Sequence, residues 1–286
     1  MWIWIALVLG LLFLAAFLYW AFFVTEGAYL GAKTVAWTYD LAARRYDDIK
    51  QFNRREDVWF LIQPLLLAMN HVDCPLVLDL ATGTGRVPDA LLYSVQFDGT
   101  VIAQDLSFKM LRLAADKLAP YPGRYTLVRR DAQQLPFPDR SFDAVCCLEA
   151  LEFMPSPQRV LAEMARVLRP GGVLLFTNRI NWEAKLMPGK AFSREELRKA
   201  LADLDVPQVE FRPWQVYYDL IWARKAGAPS RLGRGTLPLE DLLRCPQCAG
   251  PLAVHEPASM HCVSCARRYP IHDGIYDLER SRPGPG

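Results

Sequence analysis

The chain has 286 residues, 52% hydrophobic and 22% charged, and its 33 Lys and Arg against 31 Asp and Glu leave a net charge of +2. This composition excludes a disordered chain, and the near balance of charge argues against a protein that holds nucleic acid mainly by electrostatics. The length admits one large domain with additions, and no internal repeat is visible.

Met1 to Val24 carries no charge, and the first charged side chain is Glu26. At about 1.5 Å per residue such a helix reaches roughly 36 Å, enough to cross a hydrocarbon core of about 30 Å with some tilt. Trp2 and Trp4 at one end, with Tyr19 and Trp20 at the other, match aromatic belts at two interfaces. Lys33, Arg44 and Arg45 follow the segment and no Lys or Arg precedes it. The positive-inside rule then predicts a single-pass membrane protein, with the lipid bilayer as a partner and everything after residue 25 in the cytoplasm. A cleaved signal peptide would instead want a basic leading region and a shorter apolar core.

Residues 26–70 read as linking helices. Tyr39-Asp40 and Tyr46-Asp47 repeat at seven residues, two helical turns, so both tyrosines are predicted on one face. His71 falls in a loop before the first strand.

Val77-Leu-Asp-Leu-Ala-Thr-Gly-Thr-Gly-Arg86 joins a short apolar run, read as a buried parallel strand, to a glycine turn and a helix carrying Pro88 in its first turn. Strand, glycine turn and helix bring backbone close to a nucleotide at a helix N-terminus. A dinucleotide site wants G-x-G-x-x-G, and the third glycine position here is Pro88, which weakens the pyrophosphate reading and favours an adenosyl ligand. The next strand, Val101-Ile-Ala-Gln-Asp105, ends in an acid 20 residues after Gly85. Arg130-Asp-Ala-Gln-Gln-Leu-Pro-Phe-Pro-Asp-Arg-Ser-Phe-Asp-Ala-Val145 follows, and then Ala165-Arg-Val-Leu-Arg-Pro-Gly-Gly-Val-Leu-Leu-Phe176, read as a helix ending in Pro-Gly-Gly before a fifth strand.

Across about residues 75 to 180 these motifs resemble the class I S-adenosylmethionine-dependent methyltransferases, especially the ubiquinone and menaquinone biosynthesis branch. The resemblance implies an α/β fold, a doubly wound, seven-stranded Rossmann-like sheet with an antiparallel last strand, spanning about residues 71–225. It implies S-adenosyl-L-methionine as cofactor, held by Asp79, Ala81, Gly83, Gly85, Asp105, Leu106, Asp131 and Ala132. Asp79 would orient the methionine end, Asp105 the ribose and Asp131 the adenine. It also makes the tyrosine-bearing stretch a lid over cofactor and acceptor.

The sulfonium is already an activated methyl donor, so the protein has mainly to align a nucleophile and exclude water. Glu149 and Glu152, after the fourth strand, are the candidate general bases, against a plainer reading as acids favoured by a helix start. Cys146 and Cys147 read as small core residues. Ser193 with Glu196 predicts a capping box opening a helix to about Leu204, and two strands separated near Pro213 complete the sheet.

Residues 226–241 read as a linker, with Arg224, Lys225, Arg231 and Arg234 as solvated charges. Beyond it, Cys245-Pro-Gln-Cys248 and Cys262-Val-Ser-Cys265 stand thirteen residues apart. Two such knuckles can surround one Zn²⁺ with four thiolates; His255 and His261 are spare donors. Residues 242–279 resemble the small zinc-ribbon activator of tRNA, rRNA and protein methyltransferases, which implies structural support of the catalytic domain. Residues 280–286 are predicted disordered.

The favoured acceptor is a membrane-associated lipid, quinone or other small molecule. An RNA or protein acceptor, and a non-catalytic membrane-tethered binding module, are the alternatives.

Overall fold

The computed structural model describes residues 1–50, 52–256 and 258–281. The predicted disordered tail from residue 282 onward, and the side chain of His255, lie outside what is described. Helix α1 (Trp2–Tyr19) continues through a wider π-type turn to Val24. Trp2–Val24 is 23 residues long and apolar enough to cross a membrane, and its side chains are almost all exposed. The chain then turns back through α2 (Ala32–Ala42), a tight turn at Ala43–Arg45, and α3 (Tyr46–Lys50). Helix α4 (Arg54–Asp57) runs on through Val58–Ile62 into α5 (Gln63–Ala68). The one continuous helix expected for the two tyrosines is therefore broken, yet their rings still meet, 5.7 Å between centroids.

Seven strands form the main sheet: β1 (Leu76–Leu80), β2 (Thr100–Asp105), β3 (Tyr125–Arg129), β4 (Phe142–Cys147), β5 (Leu168–Arg179), β6 (Gln208–Trp214) and β7 (Tyr218–Arg224). Their order is β6-β7-β5-β4-β1-β2-β3. Strands β1 to β5 are parallel, and β7 runs antiparallel to both β5 and β6, as expected. Helices α6 (Arg86–Tyr93), α7 (Phe108–Leu118), α8 (Pro157–Val167), α9 (Asn181–Lys185) and α10 (Arg194–Asp203) accompany the sheet. Strand periodicity divides two cores: Leu76, Leu78 and Leu80 enter one with Leu174 and Phe176, whereas Val77 enters the other with Leu175 and Cys146. Both faces are covered, which is why β1 reads as an unbroken apolar run interrupted only by Asp79.

Two local expectations change. The Pro-Gly-Gly segment lies in the irregular start of β5, not at a helix end, because α8 stops at Val167 and Leu168 already pairs with Phe142. Pro213 sits within β6 opposite Asp219, with the turn after Trp214. As the outermost strand, β6 tolerates a residue without an N–H. The Ser193–Glu196 capping box forms as predicted.

The segment read as a free linker is docked. Asp73 donates its N–H to Arg231 O at 2.8 Å, Gly233 and Gly235 donate to Asp73 O and Cys74 O at 2.9 Å each, and Thr100 Oγ1 donates to Gly235 O at 3.0 Å. A Cβ on Gly233 would lie 2.4 Å from Cys74 O, so only glycine fits there. Arg224 and Lys225 donate to backbone carbonyls, including Gly171 O at 2.7 Å and Leu168 O at 2.9 Å, and are not solvated charges. The segment thus passes beneath the amino ends of β1 and β2 and leaves their carboxyl ends clear.

It delivers helix α11 (Leu239–Leu242) and strands β8 (Leu252–Glu256), β9 (Ser259–Cys262), β10 (Arg268–His272) and β11 (Ile275–Asp277) to the far side. Strand β11 pairs in parallel with β3, Ile275 opposite Leu127 and Asp277 opposite Arg129, extending the sheet to eleven strands. Ile275 and Leu278 are fully buried, each contributing about 1.5–3 kcal/mol. Arg129 pairs with the buried Asp277 at 3.0 Å.

Candidate functional site

A cleft open to solvent lies at the carboxyl ends of β1 to β4, where open α/β sheets bind ligands. Its walls bring together Ala81, Gly83, Asp105, Leu106, Asp131 and Ala132 from the motif loops, with Gln104 and Arg130 beside them. Ala81 and Gly83 have positive φ, 51° and 55°, so the loop leaves β1 in a turned conformation that presents backbone to the cleft. Gly85 stands apart from these walls. It caps α6 in the left-handed region, and a Cβ there would stand 3.2 Å from the Ala114 Cβ of α7. Asp79 lies one layer deeper, lining an adjoining recess with Tyr46, Phe52 and Arg86.

The acids are held but not neutralised. Asp79 is buried and accepts from Thr82 Oγ1 at 2.6 Å. Burial, aided by neighbouring Asp105, pushes its carboxyl up to about 7. Asp105 accepts from the N–H groups of Gly83 and Ser107, both at 2.8 Å, and burial also raises it. Asp131 accepts from the Gln133 N–H at 2.9 Å. Asp79, buried, and Asp105, half-buried, thus stand beside a turned glycine loop, with backbone and hydroxyl donors as their hydrogen-bond partners among the described residues. Such a pair fits a nucleoside ligand that carries its own positive charge.

The Tyr-Asp repeat divides its labour. The tyrosines line the cleft, and the ring edge of Tyr46 lies 3.7 Å from where Gly83 would carry a Cβ. The aspartates pin the stretch down: Asp40 accepts from Ser107 Oγ, and Asp47 accepts from Thr84 Oγ1 and from Lys117 Nζ, the last at 2.6 Å. The repeat carried this signal, but its spacing alone did not say which partner met which loop.

Glu149 and Glu152 fall on opposite sides of a charged hub. Glu149 lines the cleft, but Arg86 Nη1 (2.9 Å), Lys50 Nζ (3.3 Å), Gln215 Nε2 (3.1 Å) and Trp214 Nε1 (3.3 Å) all donate to it. Despite burial, the cations Lys50 and Arg86 hold its carboxyl below the usual range. Arg86 also forms a two-pronged pair with Asp57 at 2.6–3.1 Å and lies over Phe52. Glu152 is buried behind the cleft wall, accepting from Arg179 Nε at 3.0 Å and Tyr218 OH at 2.8 Å. No local spacing connects Arg86 to Asp57 or Glu149, so this hub was invisible in the sequence.

In the ribbon, Cys245, Cys248, Cys262 and Cys265 place their sulfurs within 4.8 Å of one another, with 3.7 Å between Cys245 and Cys265 and 3.4 Å between Cys248 and Cys262. Four thiolates about 2.3 Å from a tetrahedral Zn²⁺ stand about 3.8 Å apart, so the donor set fits. The two knuckles repeat one geometry. Ala249 and Ala266 both have φ of 57° and donate to Cys245 O and Cys262 O at 2.8 and 2.9 Å.

A seven-stranded doubly wound sheet with this cleft, carrying a four-cysteine ribbon on its β3 edge, defines a methyltransferase fold with an attached zinc-binding unit. Residues 78–176 match the family described as Methyltransferase domain and residues 237–274 the family described as Trm112p-like protein; the chain contains both domains. The chain is 42% identical over 99 residues to the ubiquinone/menaquinone biosynthesis C-methyltransferase UbiE of Bordetella avium, covering 35% of this chain and 39% of that protein. It is 36% identical over 146 residues to the demethylmenaquinone methyltransferase of Thermobifida fusca, covering 50% and 60%. The aligned part thus spans less than two thirds of these relatives. Among solved structures, the [4+2]-cyclase SpnF shares the fold with a TM-score of 0.58 and 18% identity, covering 69% of this chain and 97% of that one. A chain from the complex between the Haloferax volcanii Trm112 methyltransferase activator and the putative methyltransferase has a TM-score of 0.53 and 21% identity, covering 66% and 98%.

Proposed function

We propose that the chain is an S-adenosylmethionine-dependent methyltransferase that works at a membrane on a lipid, quinone or similar small acceptor. The observation that carries the first part is the cleft itself: six of the eight residues assigned to the cofactor line it together, and Asp79 lines the adjoining recess. Asp79 would meet the ammonium of the methionine end, Asp105 the ribose hydroxyls and Asp131 the adenine amino group. Bound cofactor supplies an activated methyl group on a sulfonium. The residues of the chain orient it, cover it with Tyr39 and Tyr46, and exclude water.

The membrane part rests on how the apolar helix meets the domain. Trp20, at the end of the span, donates its Nε1–H to Leu186 O at 2.9 Å and stacks on Tyr29 at 5.1 Å; Tyr29 in turn donates to Pro188 O at 2.8 Å. Ala28 packs with Phe153, which lines the cleft. A span joined this closely to the cleft wall suits an acceptor held in the same bilayer, where tethering raises effective concentration. The names of the quinone-methylating relatives support the same class. The positive-inside pattern supports a cleft on the cytoplasmic side.

The ribbon, with zinc in its four thiolates, would act as a built-in brace for the β3 edge. The test is transfer of a labelled methyl group by the full-length chain in vesicles of total lipid extract. Label in the lipid fraction supports the reading; label confined to RNA or protein replaces the acceptor.

A further inference from the structure

Helix α2 exposes Lys33, Trp37 and Leu41, and these follow one another at four-residue intervals, so they share one face. Arg45, exposed in the tight turn that follows, stands four residues further on. The opposite face, through Ala32, Val35 and Tyr39, lines the cleft. Helix α2 is thus a roof of the cleft, and its outer surface presents an indole and a leucine between two cations. Single exposed apolar residues are ordinary on a soluble domain. An aligned pair, with Trp37 54% and Leu41 65% exposed, is a surface that a membrane or another chain covers.

The position of α2 selects between them. Thr38 Oγ1 donates to Glu26 O at 3.2 Å, two residues beyond the apolar span, and a Cβ on Gly27 would stand 2.9 Å from Thr34 Cγ2. Trp37 therefore lies within about one helix diameter, roughly 10 Å, of the end of the span, where headgroups surround a spanning helix. Helix α9 adjoins the same point through the bond from Trp20 to Leu186 O, and it carries the exposed Trp182 and Lys185. The two helices sort their charges alike. Asp40, the only acid of α2, accepts from Ser107 Oγ, and Glu183, the only acid of α9, pairs with Arg179 at 2.6 Å. The acids are tied to the protein while Lys33 and Lys185 stand outside, so the surface beside the span is aromatic and positive. Indole rings suit a membrane interface, and long cationic side chains reach its phosphates.

We propose that the outer face of α2, with Trp182 and Lys185 of α9 beside it, lies on the anionic surface of the bilayer that Trp2–Val24 crosses, so that the roof of the cleft is a membrane-bound helix. This rests on the reading of Trp2–Val24 as a span. Trp37, Leu41 and Trp182 enter the boundary between headgroups and acyl chains, and Lys33, Arg45 and Lys185 meet lipid phosphates. A second copy of the chain fits less well, because like cations would face one another across a two-fold contact.

The experiment places the full-length chain in nanodiscs of phosphatidylcholine, with and without phosphatidylglycerol, and reads side-chain exposure by hydroxyl-radical oxidation and mass spectrometry. Tyr93, exposed at the far end of α6, is the internal standard. With phosphatidylglycerol, Trp37 and Trp182 are expected to oxidise several-fold more slowly relative to Tyr93 than in phosphatidylcholine alone, and high salt should restore the rate by screening. Lys33→Gln and Arg45→Gln together should shift the docking equilibrium about thirtyfold towards the exposed state. The salt series on the wild-type chain decides the matter by itself if the double variant fails to fold. Trp37 oxidised equally in both lipids and at every salt concentration, in chains that have entered the discs, would overturn the docking and leave the span intact. Protection that requires two chains in one disc would replace the bilayer by a second copy and overturn it likewise. A chain recovered outside the discs overturns the span itself, and with it the membrane part of the proposed function.

Discussion

Asp47 accepts a hydrogen bond from Thr84 Oγ1, tying the lid to the turn between β1 and α6. The same carboxylate takes Lys117 Nζ from α7, and seven residues earlier Asp40 repeats the arrangement with Ser107 after β2. The tyrosine-bearing stretch, the proposed lid, is thus latched to both loops proposed to hold the nucleoside, with its tyrosines lining the cleft. Asp47→Ala removes two bonds from that latch. Cofactor affinity is expected to fall about five- to thirtyfold, at roughly 1 kcal/mol per hydrogen bond, with little change in melting temperature. Stopped-flow release of S-adenosylhomocysteine checks it, since a loosened lid shows as faster dissociation.

Gly83→Ala tests the close approach of backbone to ligand. A Cβ there meets Tyr46 only at ordinary contact distance, 3.7 Å, so the fold should survive, at a cost of about 1–2 kcal/mol from the left-handed conformation. The methyl group would stand between lid and cleft. Affinity for the cofactor is expected to drop at least tenfold by calorimetry, more than the loss of stability accounts for.

The titration of Asp79 has a definite sign. Its carboxyl titrates near 7 in the folded chain and near 3.8 when unfolded, so the folded state keeps a proton that the unfolded state has already lost. Stability is therefore full below about pH 4 and declines as pH rises towards 7, by on the order of 4 kcal/mol for this group. Asp79→Asn should raise the melting temperature of the cofactor-free protein at pH 8 while weakening cofactor binding. Because the cationic ligand favours ionised Asp79, binding at pH 6.5 should release protons. Calorimetry in buffers of different ionisation enthalpy reads this directly, and the variant should release fewer.

Cys262→Ser, or chelation of the metal, should loosen the ribbon and bare the β3 edge, since β11, Asp277 and Leu278 all depend on its fold. A lower melting temperature is expected, together with weaker cofactor binding, because Glu279 accepts the Asp131 N–H at 2.9 Å and pairs with Arg130 at 3.2 Å. Metal analysis alongside thermal melting checks both parts.

The capping box at Ser193 and the four-cysteine cluster were legible because each is written in local spacing, and the sheet through the family resemblance that its motifs carry. The apolar runs of β1 and β5, the two C-x-x-C knuckles and the acid at the end of β2 need no distant partner to be seen. The role of Gly85 as a helix cap against Ala114, the docked course of residues 229–235 and the Arg86–Asp57–Glu149 hub depend on contacts between distant segments.

The most direct measurement of the central claim follows a labelled methyl group from S-adenosylmethionine through the full-length chain in lipid vesicles, beside Asp105→Ala. The expected result is label in an extractable lipid or quinone fraction, with the variant reduced through weakened cofactor binding. Label absent from every lipid fraction while S-adenosylmethionine is bound, or transfer undiminished in Asp105→Ala, would contradict it.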